Sequence, residues 1–377
     1  GEHMKKTTVQ NYVAKKDVLL EVKGLKKYFP IEKGFLRKVV GHVKAVDGVD
    51  FYIKEGETLG LVGESGCGKS TLAKCVLRGI EPTSGEVKFR LNGDMVDINS
   101  LGRHELRAMR QHMQMIFQDP FSSLNPRMTV LEIVGEPLVA NKLMTGKELN
   151  DRVAYLMEVV GLEAKYLKRY PHAFSGGQRQ RLGIARALAS NPKLIVADEA
   201  VSALDVSVQA QILNLLEDLQ EQFNLTYLFV SHDLSVIEHL CDRVSVMYVG
   251  KMVELAETDA LFKSPKHPYT EALLSAIPTP DPEVIMERII LPGEIANPSA
   301  PPSGCYFHPR CNYAKDICKT QEPSWQEVDA GHFSLCHFAK ELALRGADIQ
   351  AGDGDAGSRD DTLQLPVKSD YKSKVKT

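Results

Sequence analysis

Nine residues, Gly63-Glu64-Ser65-Gly66-Cys67-Gly68-Lys69-Ser70-Thr71, restrict the fold more than any other part of the chain. They fit the pattern G-x-x-x-x-G-K-[ST], a loop that cradles nucleotide phosphates. The flanks agree. Thr58–Val62 is an apolar run that predicts a buried strand, and Thr71–Leu77 predicts a helix. Glycines at 63, 66 and 68 let successive backbone N–H groups curl around phosphate oxygens, at a helix N-terminus where anions are favoured. Lys69 is placed to pair with the β- and γ-phosphates, and Ser70 to offer its hydroxyl to Mg²⁺. Ser65, Cys67 and Thr71 complete the candidate cradle. A Gly-rich turn without a ligand is the plain alternative, and the strand and helix on either side argue against it.

The chain has 377 residues, enough for two or three domains and a large core. A formal net charge of −3 argues against a general nucleic-acid binder. No apolar run reaches the length needed to span a bilayer, and no secretory signal leads the chain. A cytosolic protein is expected, one that can still sit on a membrane partner. Residues 1–16 read as a cloning scar, Gly1-Glu2-His3-Met4, followed by a tail.

Val18–Val22 and Ala45–Phe51 alternate like strands of an antiparallel edge, with a basic hairpin or loop between them over Ile31–Lys44. Glu86–Leu91 is a further short strand. Leu106–Gln118 runs into Met115-Ile116-Phe117-Gln118, and a Ser-, Asn- and Pro-rich loop follows over Asp119–Arg127. Thr129–Tyr170 is helical in pattern, clearest over Glu148–Val160. Two strand–helix units follow: Lys193–Asp198 with Val208–Phe223, and Thr226–Val230 with Leu234–Leu240. This order predicts an α/β nucleotide domain over 17–260. Its sheet should be mostly parallel, with an antiparallel edge and a helical insertion at about 119–175. Beyond Ala260 proline becomes frequent and four of the seven cysteines gather, which predicts a small irregular appended module over 261–345. Residues 346–377 are polar and rich in Gly and Asp, so disorder is expected there.

Leu194-Ile195-Val196-Ala197-Asp198-Glu199 is an apolar strand ending in two carboxylates, at the end of the sheet where α/β folds hold ligands. Asp198 is the candidate for the Mg²⁺ shell and Glu199 for the group facing the attacking water. Ser175-Gly176-Gly177-Gln178 precedes a helical run, so its free N–H groups lie at a positive helix end. Taken singly, these are a solvated strand end and an ordinary helix cap.

Together they carry a resemblance. The phosphate loop, Gln118, Ser175-Gly176-Gly177-Gln178, Asp198-Glu199, Ser202-Ala203-Leu204-Asp205 and His232 stand in the order found in ATP-binding cassette (ABC) ATPases, over roughly Val18–Glu257. The resemblance implies a RecA-like P-loop core and a head-to-tail pair of cassettes. Each ATP then lies between the phosphate loop of one and the Ser175–Gln178 segment of the other. It implies that Glu199 is the general base, His232 the γ-phosphate sensor, Gln118 a contact to Mg²⁺ and water, and Asp205 a residue crossing the interface. It also implies that Phe29 or its neighbour Tyr28 stacks on adenine; the sequence does not separate the two rings. Many members have proline after the catalytic Glu, and this chain has Ala200.

Lys266–Leu274 and the loop Phe121-Ser122-Ser123-Leu124-Asn125-Pro126-Arg127 resemble the ATPases of dipeptide and oligopeptide importers, and Val201–Gln211 with Gly177–Arg181 is similar to the F-type of that group's two ATPase subunits. That resemblance implies a D-type ATPase partner (or a homodimer), two membrane permeases that receive the helical insertion, and, indirectly, an extracytoplasmic peptide-binding protein. The place implied is peripheral, on the cytoplasmic face of the membrane. The cargo stays open among dipeptides, oligopeptides, nickel and glutathione. A soluble ABC protein acting on nucleic acid or ribosomes is the rival, and a single cassette without sustained heptads argues against it.

Cys305, Cys311, Cys318 and Cys336 have the spacing C-x5-C-x6-C-x17-C. Four thiolates can hold Zn²⁺ or an iron–sulfur cluster, and the absence of a short C-x2-C pair weighs against zinc. The peptide-importer resemblance implies a [4Fe–4S] cluster; because the four cysteines lie outside every motif that touches ATP, a structural or regulatory role is expected. His308, His332 and His337 flank the set. Cys75 and Cys241 read as small buried residues.

Overall fold

The computed structural model describes residues 17–34, 37–277 and 288–347. The expected N-terminal tail, and the expected disordered tail from 348 on, lie outside the described residues.

The chain opens with a long antiparallel hairpin, β1 (Val18–Lys33) and β2 (Lys38–Lys54). After it come β3 (Thr58–Val62), the phosphate loop and α1 (Lys69–Val76). Then follow β4 (Ser84–Leu91), β5 (Asp94–Asp97), α2 (Arg103–Arg110) and β6 (Met113–Ile116). The helical insertion holds α3 (Val130–Ala140) and α4 (Gly146–Val159), and α5 (Gly176–Leu188) leads back to the core. β7 (Leu194–Asp198), α6 (Val206–Phe223), β8 (Thr226–Val230), α7 (Leu234–Leu240), β9 (Arg243–Tyr248) and β10 (Lys251–Glu257) complete it. The remainder is short: α8 (Thr258–Lys263), α9 (Pro268–Leu274), α10 (Asp316–Thr320), β11 (Gln326–Asp329) and β12 (His332–Ser334). No helix among the described residues is long and apolar enough to cross a membrane.

These strands make two sheets. One is antiparallel, in the order β2-β1-β4-β5; the other runs β11-β12-β10-β9-β3-β8-β7-β6, with β9, β3, β8, β7 and β6 parallel. Every residue of β3, β7, β8 and β9 is buried, as a sheet covered on both faces requires. Period-2 alternation divides them between two cores. Leu59, Leu61, Val196 and Leu228 face the antiparallel sheet and α1. Ile195, Ala197, Tyr227 and Phe229 face the side of α3–α6.

Three expectations change in detail. Ile31–Lys44 is a hairpin, but strand pairing continues through it to Lys33 and resumes at Lys38. Its residues are mostly exposed or half-buried, so no apolar alternation announces them. Leu106–Gln118 divides into the end of α2 and the strand β6. The C-terminal module is also less separate than its composition suggests. β12 pairs with β10 (Leu255↔Phe333) and so joins the main sheet. Tyr269 and Phe307, both fully buried, pack on Tyr248 of β9 with ring centroids 4.8 and 5.2 Å away.

Candidate nucleotide site

The phosphate loop leaves buried β3 and turns into α1. Two of its glycines are sterically required. A Cβ on Gly63 (φ 149°) would stand 2.2 Å from the Met247 carbonyl oxygen, and one on Gly68 (φ 109°) would stand 2.0 Å from that of Ala45. Gly68 caps α1 without a side-chain bond, which leaves the first amides of the helix free for an anion. Lys69 is buried, and its ammonium donates to the carbonyls of Gly63 (2.7 Å) and Glu64 (3.2 Å).

β7 delivers the carboxylates. Asp198 Oδ1 accepts a 2.8 Å bond from the Ser70 hydroxyl, so the two proposed Mg²⁺-shell residues are adjacent. Their hard oxygens suit that ion. Burial pushes the Asp198 carboxyl above its ordinary pKa, against the opposing pull of Ser70 and Lys74. Glu199 follows with φ 48°, held by its N–H to the Val230 carbonyl (2.9 Å) and by Ser202, which donates back to the Glu199 carbonyl. Its carboxylate lies between two groups. Gln118 Nε2 donates to Oε2 at 2.7 Å, and His232 Nδ1 stands 3.4 Å from Oε1. Three residues from distant segments thus meet at the carboxyl end of the parallel sheet. Ala200, in the position where proline is common, is buried, and its carbonyl accepts a 2.7 Å bond from Gln180.

Ser175 caps α5 and forms a capping box with Gln178. Among the described residues, no hydrogen bond or ion pair joins 175–178 to the phosphate loop. The segment packs instead on Leu204 and on the first turn of α6, where a Cβ on Gly177 would meet Val208 at 2.5 Å. Asp205 caps α6 through the Val208 N–H at 3.0 Å. Phe29 is 36 % exposed at the hairpin, with the Lys27 ammonium 4.9 Å above its ring. The Tyr28 hydroxyl turns the other way and donates to Asp47.

The four cysteines come together on one small cavity, which His308 and His337 also line. One ring nitrogen of His308 lies on the Cys305 carbonyl and one of His337 on that of Gln321. His332 is elsewhere, buried against Glu254 at 2.7 Å. Burial raises the Cys311 thiol to about 11 and the Cys336 thiol to about 12. Among the described residues, no three His, Cys, Asp or Glu side chains are assembled at metal-holding geometry.

Sequence reasoning misses one group of contacts. Glu64, inside the phosphate loop, forms a two-bond pair with Arg310 (2.7 and 3.1 Å), and its N–H donates to the Tyr269 hydroxyl at 2.8 Å. Tyr306 donates to Asp47 at 2.9 Å. The cysteine module therefore touches a nucleotide motif through Arg310, although its four cysteines stand outside every such motif. The sequence signal was slight: a carboxylate inside an anion-binding loop, in want of a distant cation.

Fold and site define a P-loop ATPase of the ATP-binding-cassette class. The ABC transporter family model matches residues 46–202, and that of the oligopeptide/dipeptide transporter C-terminal region matches 253–318. The chain is 54 % identical to the oligopeptide transport ATP-binding protein AppF of Bacillus subtilis, over 86 % of this chain and 98 % of that one. It is 52 % identical to the probable peptide ABC transporter ATP-binding protein y4tS of Sinorhizobium fredii, over 87 % and 92 %. Among solved structures, the dimeric ATP-binding cassette MJ0796, in a post-hydrolysis state with ADP and Pi, aligns with a TM-score of 0.55 and 31 % identity, over 64 % of this chain and 99 % of that one. The cassette cbiO1 of Clostridium perfringens aligns with a TM-score of 0.55 and 27 % identity, over 65 % and 91 %. The chain belongs to the ATP-binding subunits of ABC transporters, in the branch that carries the oligopeptide/dipeptide C-terminal region.

Proposed function

We propose that this chain is the ATP-hydrolysing subunit of an importer of dipeptides or oligopeptides, and that it works as one of two cassettes beneath two membrane permeases. The carrying observation is Glu199, bracketed by Gln118 and His232 and adjacent to the Ser70–Asp198 pair.

In this reading the amides of Gly63, Ser65, Gly66, Cys67, Gly68 and Thr71, with Lys69, take the β- and γ-phosphates. Phe29 stacks on adenine; its exposure supports this, and the bond from Tyr28 to Asp47 gives that ring other work. Ser70, Asp198 and Gln118 hold Mg²⁺, which supplies charge neutralisation on the phosphates. Glu199 takes a proton from the attacking water, Gln118 orients it, and His232 contacts the γ-phosphate. Ser175, Gly176, Gly177, Gln178 and Asp205 serve the ATP of the partner cassette. Their position against the loop after β7, without a link to the chain's own phosphate loop, supports that division.

The partner is a D-type ATPase subunit, with a homodimer as the alternative. An extracytoplasmic peptide-binding protein feeds the permeases, and the chain sits peripherally on the cytoplasmic face. Phe117 and Phe121 are 43 % and 57 % exposed at the helical insertion and suit a docking contact with the permeases. Cys305, Cys311, Cys318 and Cys336 hold a [4Fe–4S] cluster, with Zn²⁺ as the alternative; their common cavity supports a shared ligand.

The test is reconstitution in vesicles with permeases, a D-type subunit and binding protein. Peptide-dependent ATP turnover is expected, and its loss in Lys69→Ala. A chain that neither joins the permeases nor turns over ATP with them contradicts the reading. For the thiols, anaerobic purification followed by metal analysis should find iron; zinc without iron rejects the cluster.

A further inference from the structure

Glu64 places a carboxylate among groups that serve an anion. Uncompensated, it opposes the negative charge of a triphosphate bound a few ångströms away. The compensation comes from 246 residues downstream, where Arg310 grips both oxygens of Glu64. The Arg310 side chain is 8 % exposed and that of Glu64 27 %, so solvent screens the pair only in part. Tyr269 adds a second hold on the Glu64 backbone.

Arg310 belongs to the short segment between Cys305 and Cys311, and so does Tyr306. Tyr306 bonds Asp47, the acceptor of Tyr28, next to Phe29. One segment of the cysteine module therefore touches both the phosphate loop, through Glu64, and the β1–β2 hairpin, through Asp47.

We propose that the Cys305–Cys311 segment is a strap that keeps this site ready for ATP, with Arg310 as the positioning residue that neutralises Glu64 and fixes the phosphate loop. The proposal rests on the reading that residues 63–71 take the triphosphate. A fluorescent ATP analogue titrated against the purified full-length chain tests both, with Lys69→Ala as the control. Arg310→Gln should raise Kd about tenfold, and Arg310→Lys should recover part of the loss. Removing the stranded carboxylate as well, in Glu64→Gln/Arg310→Gln, should bring Kd back to within about threefold of wild type. An Arg310→Gln variant that binds like wild type overturns the proposal. So does a double variant as weak, or as poorly folded, as Arg310→Gln, because Arg310 is then merely structural. Wild-type binding that Lys69→Ala leaves unchanged refutes the phosphate-loop reading itself.

Discussion

Glu199 occupies a left-handed backbone conformation, φ 48°, that side chains adopt at a cost of about 1–3 kcal/mol. The fully buried β7–β8 ladder and the turn to Ser202 hold it there. Such strain fits a carboxylate fixed where a water must be met. Tyr28 and Phe29, equal candidates in the sequence, divide by a single hydrogen bond: Tyr28 is tied to Asp47, while Phe29 keeps an open face. Phe29→Ala should therefore weaken ATP analogue binding about tenfold, as loss of base stacking does. Tyr28→Phe should lower thermal stability instead, by about 1 kcal/mol. Paired titration and melting curves check this. A larger loss of affinity in Tyr28→Phe than in Phe29→Ala would reverse the assignment.

Among the elements, α9 shows how the module is joined to the core. His267 caps it, with Nδ1 accepting the Tyr269 N–H at 3.1 Å, and so positions Tyr269 below the phosphate loop. Burial pushes the His267 pKa down from 6.5 to about 3. The unfolded chain then takes up a proton near 6.5 that the folded chain refuses. Stability is complete above 6.5 and falls as pH drops from there toward 3. Between pH 7 and pH 5 the loss from this residue is about 2 kcal/mol. His267→Asn, which can still cap, should melt with a smaller difference between the two pH values than wild type. Identical differences would show that His267 is not buried neutral. Among the strands, β3, β7 and β8 were legible because burial on both faces demands continuous apolar residues. The outer half of β1 and β2 was not, because cross-strand pairing holds it without a buried face.

For the molecule as a whole, the candidate site was readable where its residues stand close in sequence: Gly63–Thr71, Ser175–Gln178 and Asp198–Glu199. The meeting of Gln118, Glu199 and His232 came from the order of motifs and not from spacing, since 81 residues separate Gln118 from Glu199. The pairs Arg310–Glu64 and Tyr306–Asp47 had little local signal beyond the carboxylate in the phosphate loop, because each joins parts of the chain more than 200 residues apart. Composition suggested an appended module at the C-terminus. Backbone pairing of β12 and the buried rings of Tyr269 and Phe307 tie these residues to the main sheet. The central claim is that a fixed carboxylate activates water beside a bound triphosphate. Its most direct test is Glu199→Gln in the assembled transporter, with ATP affinity and turnover measured on the same preparation. Affinity should stay within about threefold of wild type while turnover falls roughly a hundredfold or more. Near-normal turnover in that variant would contradict the account.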